Sequence, residues 1–196
     1  MDRRQAKGRQ SGDGPADQNA VLGGVAELRA ANPTSDGPCH CGDIGLRIRA
    51  DGVWLYRESP ITREALVRLF AGVLRKEEDG RTYLVTPVEK VDVVVEDAPF
   101  MAVAMRVRGV GCKQELVFET NVGDVVACGS EHPLRFARAA SCNGLKPYLL
   151  VRGGLEALVT RALVYDLVEL AVTETIEGRQ KPGVWSAGSF FAIDTD

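Results

Sequence analysis

The chain has 196 residues, of which 45% are hydrophobic and 26% are charged, and its formal net charge is −3. A chain of this length and composition can bury a substantial core as one domain or as two small ones, which excludes a disordered chain and a fibre. Because both signs of charge are mixed along the chain without a basic face, we expect neither a nucleic-acid partner nor an anionic membrane surface as a partner.

The N-terminal residues 1–38 are rich in Gly, Asp, Gln, Pro and Arg. This composition buries little apolar surface and predicts a mobile tail. Apolar residues between Val21 and Leu28 recur at helical spacing, which adds one short helix to the tail. The basic start is followed by polar residues instead of an apolar signal core, so we expect no export signal and a cytoplasmic protein.

Residues 39–88 are predicted to form an N-terminal α+β lobe. Alternating apolar residues on both sides of an "ADG" turn indicate a hairpin. Ser59 and Pro60 are typical of a helix N-cap and a first helical position, and they precede an apolar helical face that extends from Ile61 to Leu74. The segment "RTYLVTP" follows as a strand. A ββαβ unit of this size is small for independent stability, so it is expected to pack against the rest of the chain.

Residues 89–196 are predicted to form a C-terminal, strand-rich lobe. Strands separated by turns are expected from Val91 to Ala127, followed by a short strand at 147–151. A long buried helix is predicted at about 154–172, and "VWSAGSFFAI" is predicted to close the lobe as one strand. Charges interrupt the apolar part of this region at regular intervals, so we do not expect it to span a membrane.

The tetrapeptide "EALV" occurs twice, at 64–67 and at 156–159. Each copy is predicted to lie near the start of a helix, after an extended segment that contains a tyrosine and an arginine. The shared order favours duplication of one unit, and chance repetition of four common residues is the alternative.

The chain has five cysteines and two histidines. An odd number of cysteines without an export signal favours reduced thiols over a disulfide framework. The triplet "CHC" at 39–41 provides half of a zinc site but has no second half, so a turn before a strand is predicted there and no metal. The sequence has no convincing separated Cys, His and Asp pattern and no GxSxG elbow, so we predict no catalytic residue and no cofactor.

Two glycine-containing segments are candidate anion sites. In "VRGGLEAL", Arg152 and two glycine amides precede the predicted long helix, where the amides and the helix dipole favour an anion. Glycines at a strand-to-helix turn are equally expected from geometry alone. The segment "RGVGCK" lacks the spacing of a phosphate-binding loop, and a hairpin loop is favoured there.

Several longer segments follow one another in order: "CGDIGLRIRADGVWLYRESPITREALVRLF", "YLVTPVEK", "VEDAPF", "TNVGD", "PYLLVRGGLEALVTRALVYDLV" and "VWSAGSFF". Together they resemble the bacterial domain-of-unknown-function family 1285, over most of Cys41–Ile193. The resemblance implies a domain duplication, a second half superficially similar to pleckstrin-homology-like folds, and an interdomain surface that binds a nucleotide-like ligand in signalling. It implies no enzymatic activity. This chain has Gly45 and Leu46 where the family pattern has a carboxylate and a methionine, so no role is carried over to that carboxylate.

The predicted fold is therefore α+β, with two small related lobes of mostly antiparallel sheet and one main helix each. Residues near the junction of the lobes are expected to line a ligand-binding groove, because clefts between modules commonly bind ligands. These predicted residues are Thr86, Glu89, Lys90, Glu96, Asp97, Asn121, Tyr148 and Arg152. Arg152 and the amides that follow it are expected to meet the anionic group of the ligand. Glu89, Glu96 and Asn121 are expected to bind its sugar or base.

Three alternatives remain open from the sequence. The charged residues at the junction can instead form a structural set of salt bridges between the lobes. The protein can be an interaction module that docks a protein partner and binds no small ligand. An enzyme is the third alternative, and it would need a cleft with a strongly perturbed acid or base or a metal. The sequence makes no prediction of the oligomeric state.

Overall fold

The computed structural model describes residues 37–139 and 144–193. These residues form two six-stranded sheets, one three-stranded sheet, two α-helices and a short 3₁₀ turn at Gly111–Lys113. The two larger sheets form the two lobes, which confirms the predicted two-lobe, sheet-rich architecture. In the described part of the chain, no helix is long and apolar enough to cross a membrane.

The first lobe is one six-stranded sheet with a helix. Its elements are β1 (Cys39–Ile48), β2 (Trp54–Tyr56), β3 (Ser59–Pro60), α1 (Glu64–Val73), β4 (Leu74–Lys76), β5 (Thr82–Val85) and β6 (Glu89–Val95). The strand order is β3-β2-β1-β6-β5-β4, and the central pair β1 and β6 is parallel. The helix α1 buries Leu66, Phe70 and Ala71 in the core.

The second lobe repeats this strand order. Its strands are β7 (Phe100–Arg108), β8 (Glu115–Thr120), β9 (Val125–Ala127), β10 (Leu134–Arg138), β11 (Leu145–Arg152) and β12 (Leu155–Val159). They are arranged as β10-β11-β12-β7-β8-β9, with β7 and β12 parallel at the centre. In both sheets the first and last strands of the unit therefore lie side by side.

The C-terminal part consists of α2 and a small meander. The helix α2 (Arg161–Glu169) is followed by β13 (Val172–Ile176), β14 (Arg179–Ser186) and β15 (Ser189–Ala192). The three strands form an antiparallel sheet in sequence order. The prediction of one closing strand in "VWSAGSFFAI" is wrong, because Ala187 and Gly188 adopt positive φ angles of 48° and 74° and turn the chain into a hairpin.

The predicted boundary between residues 88 and 89 does not coincide with the boundary of the sheets. The strand β6 (Glu89–Val95) pairs with β1 and β5, so it belongs to the first lobe. The chain crosses to the second lobe after β6, between Glu96 and Pro99. The valine-rich run indicates a central strand better than the start of a new unit, because three consecutive residues, Val91, Asp92 and Val93, are buried in it.

Two predicted helix starts are also wrong. Ser59 and Pro60 form the short strand β3, and α1 starts only at Glu64. The long helix predicted at about 154–172 starts at Arg161, because the five residues Leu155–Val159 form a central strand. In that strand Leu155, Ala157 and Val159 are buried in alternation, which is the period of a strand and not of a helix. The second "EALV" is therefore strand, whereas the first lies in α1.

One cluster of buried apolar side chains connects the lobes. It includes Leu46 and Trp54 of the first sheet, Phe100 and Phe118 of the second, and Val184 of the meander. The predicted ligand-binding groove therefore does not extend through the buried part of the junction, where aliphatic and aromatic side chains are continuous. Polar and charged groups surround this core at the rim, where a groove opens.

Candidate functional site

A cavity of about 330 Å³ opens where the first sheet meets the β11–β12 turn. We call it the junction groove, because residues of both lobes line it. The first sheet and the segment that follows β6 contribute Asp43, Lys76, Arg81, Asp92 and Asp97. The second lobe contributes Gly154, Leu155 and Glu156. Its charged side chains thus include four carboxylates and two cations.

Each oxygen of the Asp92 carboxylate has a hydrogen-bond partner. His40 Nε2 lies 2.7 Å from its Oδ1, and Arg81 Nη2 donates to its Oδ2 at 2.9 Å. The hydrogen bond from His40 and the positive charge of Arg81 hold the pKa of Asp92 below its usual value, although burial acts in the opposite direction. Asp92 is therefore ionised at neutral pH and already has its partners.

Two further carboxylates of the junction groove are held by the second lobe. Asp97 accepts a hydrogen bond from Tyr148 Oη at 2.7 Å and pairs with the ammonium group of Lys146. Glu156 accepts both hydrogen bonds of a bidentate pair with Arg135, at 2.5 and 2.6 Å. Burial raises the pKa of Tyr148, and the bond to Asp97 raises it further. The two contacts of Asp97 fasten the segment after β6 to the second sheet, whereas the Arg135–Glu156 pair lies within that sheet.

Two charges of the junction groove lack an ionic partner among the described residues. Lys76, at the end of the edge strand β4, has no ion pair and no side-chain hydrogen bond there. Asp43 accepts one hydrogen bond from the amide of Gly45 at 2.7 Å and has no cation beside it. The groove thus offers one cation and one carboxylate to a ligand.

The β11–β12 turn lies against Lys76. A Cβ atom placed on Gly154 would lie 3.6 Å from Lys76 Cδ, which is ordinary van der Waals contact. Gly153 and Gly154 have φ angles of 49° and 75°, a pair of positive values that suits a two-residue hairpin turn. Neither glycine amide has a hydrogen-bond acceptor among the described residues. Unpaired amides beside a lysine are favourable to an anion.

Arg152 does not point into the junction groove. Its Nη1 donates to Asp124 Oδ2 at 2.6 Å, and its Nη2 donates to the carbonyl oxygen of Ala71 at 2.9 Å. Its guanidinium also lies 4.9 Å from the centre of the Phe100 ring. The glycines after it lead into β12 and not into a helix, so the predicted anion site at a helix start is wrong.

Among the described residues, Asp97 is the only other predicted residue that lines the junction groove. Tyr148 does not line the groove but donates a hydrogen bond to Asp97. Lys90 pairs with Glu77. Thr86 Oγ1 donates to the carbonyl oxygen of Glu89 at 3.1 Å and accepts from its amide at 3.0 Å.

Glu96 and Asn121 bind backbone elsewhere. Glu96 accepts from the amide of Ala50 at 3.0 Å, and Asn121 Oδ1 accepts from the amide of Met101 at 3.0 Å. These contacts fix turns of the fold. A ligand-binding role for Glu96 and Asn121 remains a prediction.

Sequence reasoning missed Asp43, Lys76, Arg81 and Asp92 as residues of the junction groove. Lys76 ends the edge strand β4, just beyond the predicted helical face. These residues meet only because the sheet order places β4, β5, β6 and β1 side by side. No local motif carries that information.

The triplet Cys39-His40-Cys41 lies at the start of β1, so the predicted turn is wrong. Both cysteines are exposed, and His40 is bound to Asp92. Within 37–139 and 144–193, no group of three or more His, Cys, Asp or Glu side chains is placed to hold a metal ion.

Two family models match this chain, and both describe the same family. Residues 35–98 match the N-terminal domain of the domain of unknown function DUF1285, and residues 99–193 match the C-terminal domain of the protein of unknown function DUF1285. No curated protein matches the chain.

Two solved structures are similar to this chain. A DUF1285 family protein from Silicibacter pomeroyi is 45% identical, with a TM-score of 0.76, over 87% of this chain and 94% of that one. A DUF1285 family protein from Shewanella baltica is 29% identical, with a TM-score of 0.50, over 64% of this chain and 91% of that one. With both domains matched in order, this chain belongs to the DUF1285 family.

Proposed function

We propose that the protein is a cytoplasmic ligand-binding regulator and that its junction groove binds a small, nucleotide-like anion in a signalling role. The observation that carries the proposal is Lys76, a cation without an ionic partner among the described residues, in a groove between two lobes. A lysine in such a place gains a partner when an anion binds, whereas Arg81 already has one.

The size of the groove supports a small ligand. Its volume of about 330 Å³ lies at the lower end of the range for ligand sites, which is roughly 300–1,000 Å³. A single nucleotide or a molecule of similar size suits this volume better than a dinucleotide.

Binding explains the chemistry of the groove better than catalysis does. A general acid or base works best when its pKa lies near the working pH. The pKa of Asp92 is instead lowered by His40 and Arg81, which keeps this carboxylate ionised. The proposal therefore assigns no reaction to the protein.

Docking of a protein partner is the second candidate function. A second, more apolar groove of about 460 Å³ lies beside α2, and Leu158, Val164 and Tyr165 contribute to it. Tyr165 is 59% exposed there, and exposed aromatic residues are enriched at interfaces. Loss of partner binding in Tyr165→Ala, with unchanged ligand binding, would support this candidate.

The proposal includes a duplication of one ancestral unit. The shared strand order of the two large sheets supports it, although α1 lies inside the first unit and α2 follows the second. The likeness of the second lobe to pleckstrin-homology-like folds is part of the same proposal, and a mostly antiparallel set of strands followed by a helix supports it.

Thermal unfolding with a panel of nucleotides tests the proposed function. A ligand present at 100 times its Kd stabilises the fold by about 2.7 kcal/mol, which raises Tm by roughly 5–10 °C in a chain of this size. We expect Lys76→Ala to abolish most of this shift. Lys113→Ala is the matched control, because Lys113 lies outside the groove. Absence of any shift across the panel, or equal shifts in the two variants, would overturn the proposal.

A further inference from the structure

We infer that Cys39 and Cys41 form a metal site in which their two thiolates bind one Cu(I) ion. Both cysteines are free thiols, and both are exposed. Neither of them lines the junction groove, so this inference is independent of the proposed function. It comes from the first residues of β1, which bring two thiols of one strand close together.

A bulge in β1 turns the Cys41 thiol towards Cys39. The register of β1 with β6 shifts between His40 and Gly42, so Cys41 is an extra residue in the ladder. Such a bulge re-aims a side chain that regular alternation would otherwise fix. Here Cys41 Sγ donates a weak hydrogen bond to the carbonyl oxygen of Cys39, at 3.7 Å.

The neighbouring strand holds the backbone of the two cysteines in place. The Cys39 amide donates to the carbonyl oxygen of Val88 at 2.9 Å, and Cys39 pairs with Glu89 of β6. His40 lies on the opposite side of the strand, where its Nε2 is 2.7 Å from Asp92 Oδ1. The two thiols are thus preorganised, and the imidazole between them in sequence has another partner.

The surroundings of the thiols favour metal binding over oxidation. Partial loss of water contact, the Glu89 carboxylate and the Cys39 thiol all raise the pKa of Cys41. The thiolate that reacts with oxidants is therefore scarcer at neutral pH, whereas a bound metal ion displaces the proton outright. Binding of one Cu(I) ion forms two Cu–S bonds and releases two protons to the solvent, with no change of oxidation state.

Two thiolates suit a soft ion with a low coordination number. Within 37–139 and 144–193, no group of three or more His, Cys, Asp or Glu side chains is placed to hold a metal ion. Structural Zn(II) sites are almost always four-coordinate, so this pair supplies only half of the ligands that Zn(II) needs. Cu(I) prefers soft sulfur ligands and is stable between two thiolates.

Competition with a Cu(I) chelator tests the inference on the full chain in a Cys142→Ser background, because Cys142 lies outside the described residues. Titration of the Cu(I) complex of bathocuproine disulfonate with protein, under anaerobic and reducing conditions, measures the transfer of Cu(I). We expect the protein to take one Cu(I) per chain. Cys39→Ser and Cys41→Ser should each weaken binding by more than the roughly 10–100-fold that loss of an outer-shell contact costs. The affinity should fall as the pH falls, since protons compete for the thiolates.

Cys112→Ser is the matched control, because Cys112 is also an exposed thiol but lies in the 3₁₀ turn Gly111–Lys113. This variant should bind Cu(I) as the background protein does, and circular dichroism verifies that each variant is folded. X-ray absorption at the copper edge should show two sulfur ligands and no imidazole nitrogen.

Three results would overturn the inference: binding that survives Cys39→Ser or Cys41→Ser, an equal loss in Cys112→Ser, or a nitrogen ligand on the copper. The proposed function is tested separately by the thermal shifts with nucleotides, so it stands or fails independently of this site.

Discussion

Arg152 of β11 and Asp124 of the β8–β9 turn form a salt bridge, with Nη1 2.6 Å from Oδ2. The same guanidinium donates from Nη2 to the carbonyl oxygen of Ala71 in α1, at 2.9 Å. One side chain of the second lobe therefore binds both its own sheet and the helix of the first lobe. Each partner of the salt bridge is one-third exposed, so solvent screens the pair only in part.

Removal of the Arg152 guanidinium should destabilise the fold. We expect Arg152→Met to lower the free energy of unfolding by about 1–3 kcal/mol, because the Asp124 carboxylate and the Ala71 carbonyl both lose a charged donor. Urea denaturation followed by circular dichroism measures this change.

The control for this variant is Arg108→Met. Arg108 pairs with Glu115 at 3.5 Å and is 67% exposed, so its loss should change stability by less than about 0.5 kcal/mol. Equal effects of the two substitutions would show that the contact of Arg152 with the first lobe contributes nothing to stability.

The Asp92 cluster predicts a pH dependence of stability in the acid range. The folded-state pKa of Asp92 is lower than its usual value of about 3.9. Such a group stabilises the fold above the unfolded-state pKa, and this contribution is lost as the pH falls through the folded-state pKa. We therefore expect Asp92→Asn to flatten the decline in stability below about pH 4.

Urea titrations between neutral pH and about pH 3 measure this slope. Asp166→Asn serves as the control, since Asp166 is an exposed residue of α2 with no ion pair among those described. An acid slope that is the same in wild type and Asp92→Asn would contradict the role given to His40 and Arg81.

The two copies of "EALV" show where sequence reasoning is sufficient and where it fails. The first copy lies in α1, as its helical period predicts, and the second forms β12 between β11 and β7. The same four residues adopt different structures because the second copy gains a strand partner on each side. Local propensity is a weak prior that such tertiary pairing overrides.

Sequence reasoning did not predict most residues of the junction groove, for a similar reason. The β1–β2 hairpin and α1 follow from local periodicity and turn residues, and the structure contains both. Lys76 and Asp43 are distant in sequence, and they line one cavity only because β6 inserts between β1 and β5. A parallel pairing of the first and last strands of a unit leaves no short-range signal in the sequence.

The buried thiol of Cys128 should be chemically inert in the folded protein. Burial raises the pKa of Cys128 to about 12, so the thiolate that reacts with alkylating agents is absent near pH 8. Cys39, Cys41 and Cys112 are exposed and should be alkylated without unfolding. Peptide mapping by mass spectrometry after iodoacetamide treatment distinguishes these positions.

The raised pKa of Cys128 also predicts a loss of stability in alkali. A group with a raised folded-state pKa contributes its full stability below the unfolded-state pKa, and the contribution declines as the pH rises towards about 12.

Cys142 lies outside the described residues, so the alkylation experiment is best done in a Cys142→Ser background. Labelling of Cys128 at the rate of Cys39 in the folded protein would contradict its burial.

Two glycine substitutions should change stability in opposite directions. A Cβ atom on Gly183 of β14 would lie 2.4 Å from the Phe190 ring and 2.5 Å from the Phe191 carbonyl oxygen. The ring can rotate, but the carbonyl belongs to the paired strand β15, so β14 and β15 would have to separate. We expect Gly183→Ala to cost about 1–3 kcal/mol, the usual range for an overpacked site.

Gly72 provides the matched comparison, because a Cβ atom there meets nothing within 4 Å and the residue lies inside α1. Alanine has the higher helix propensity and reduces the entropy of the unfolded chain, so Gly72→Ala should add about 0.5–1 kcal/mol. Thermal unfolding should therefore give a higher Tm for Gly72→Ala and a lower Tm for Gly183→Ala, by roughly 2–4 °C per kcal/mol. A stabilised Gly183→Ala would mean that β15 can move away from β14 at no cost, and the meander would then contribute little to the stability of the fold.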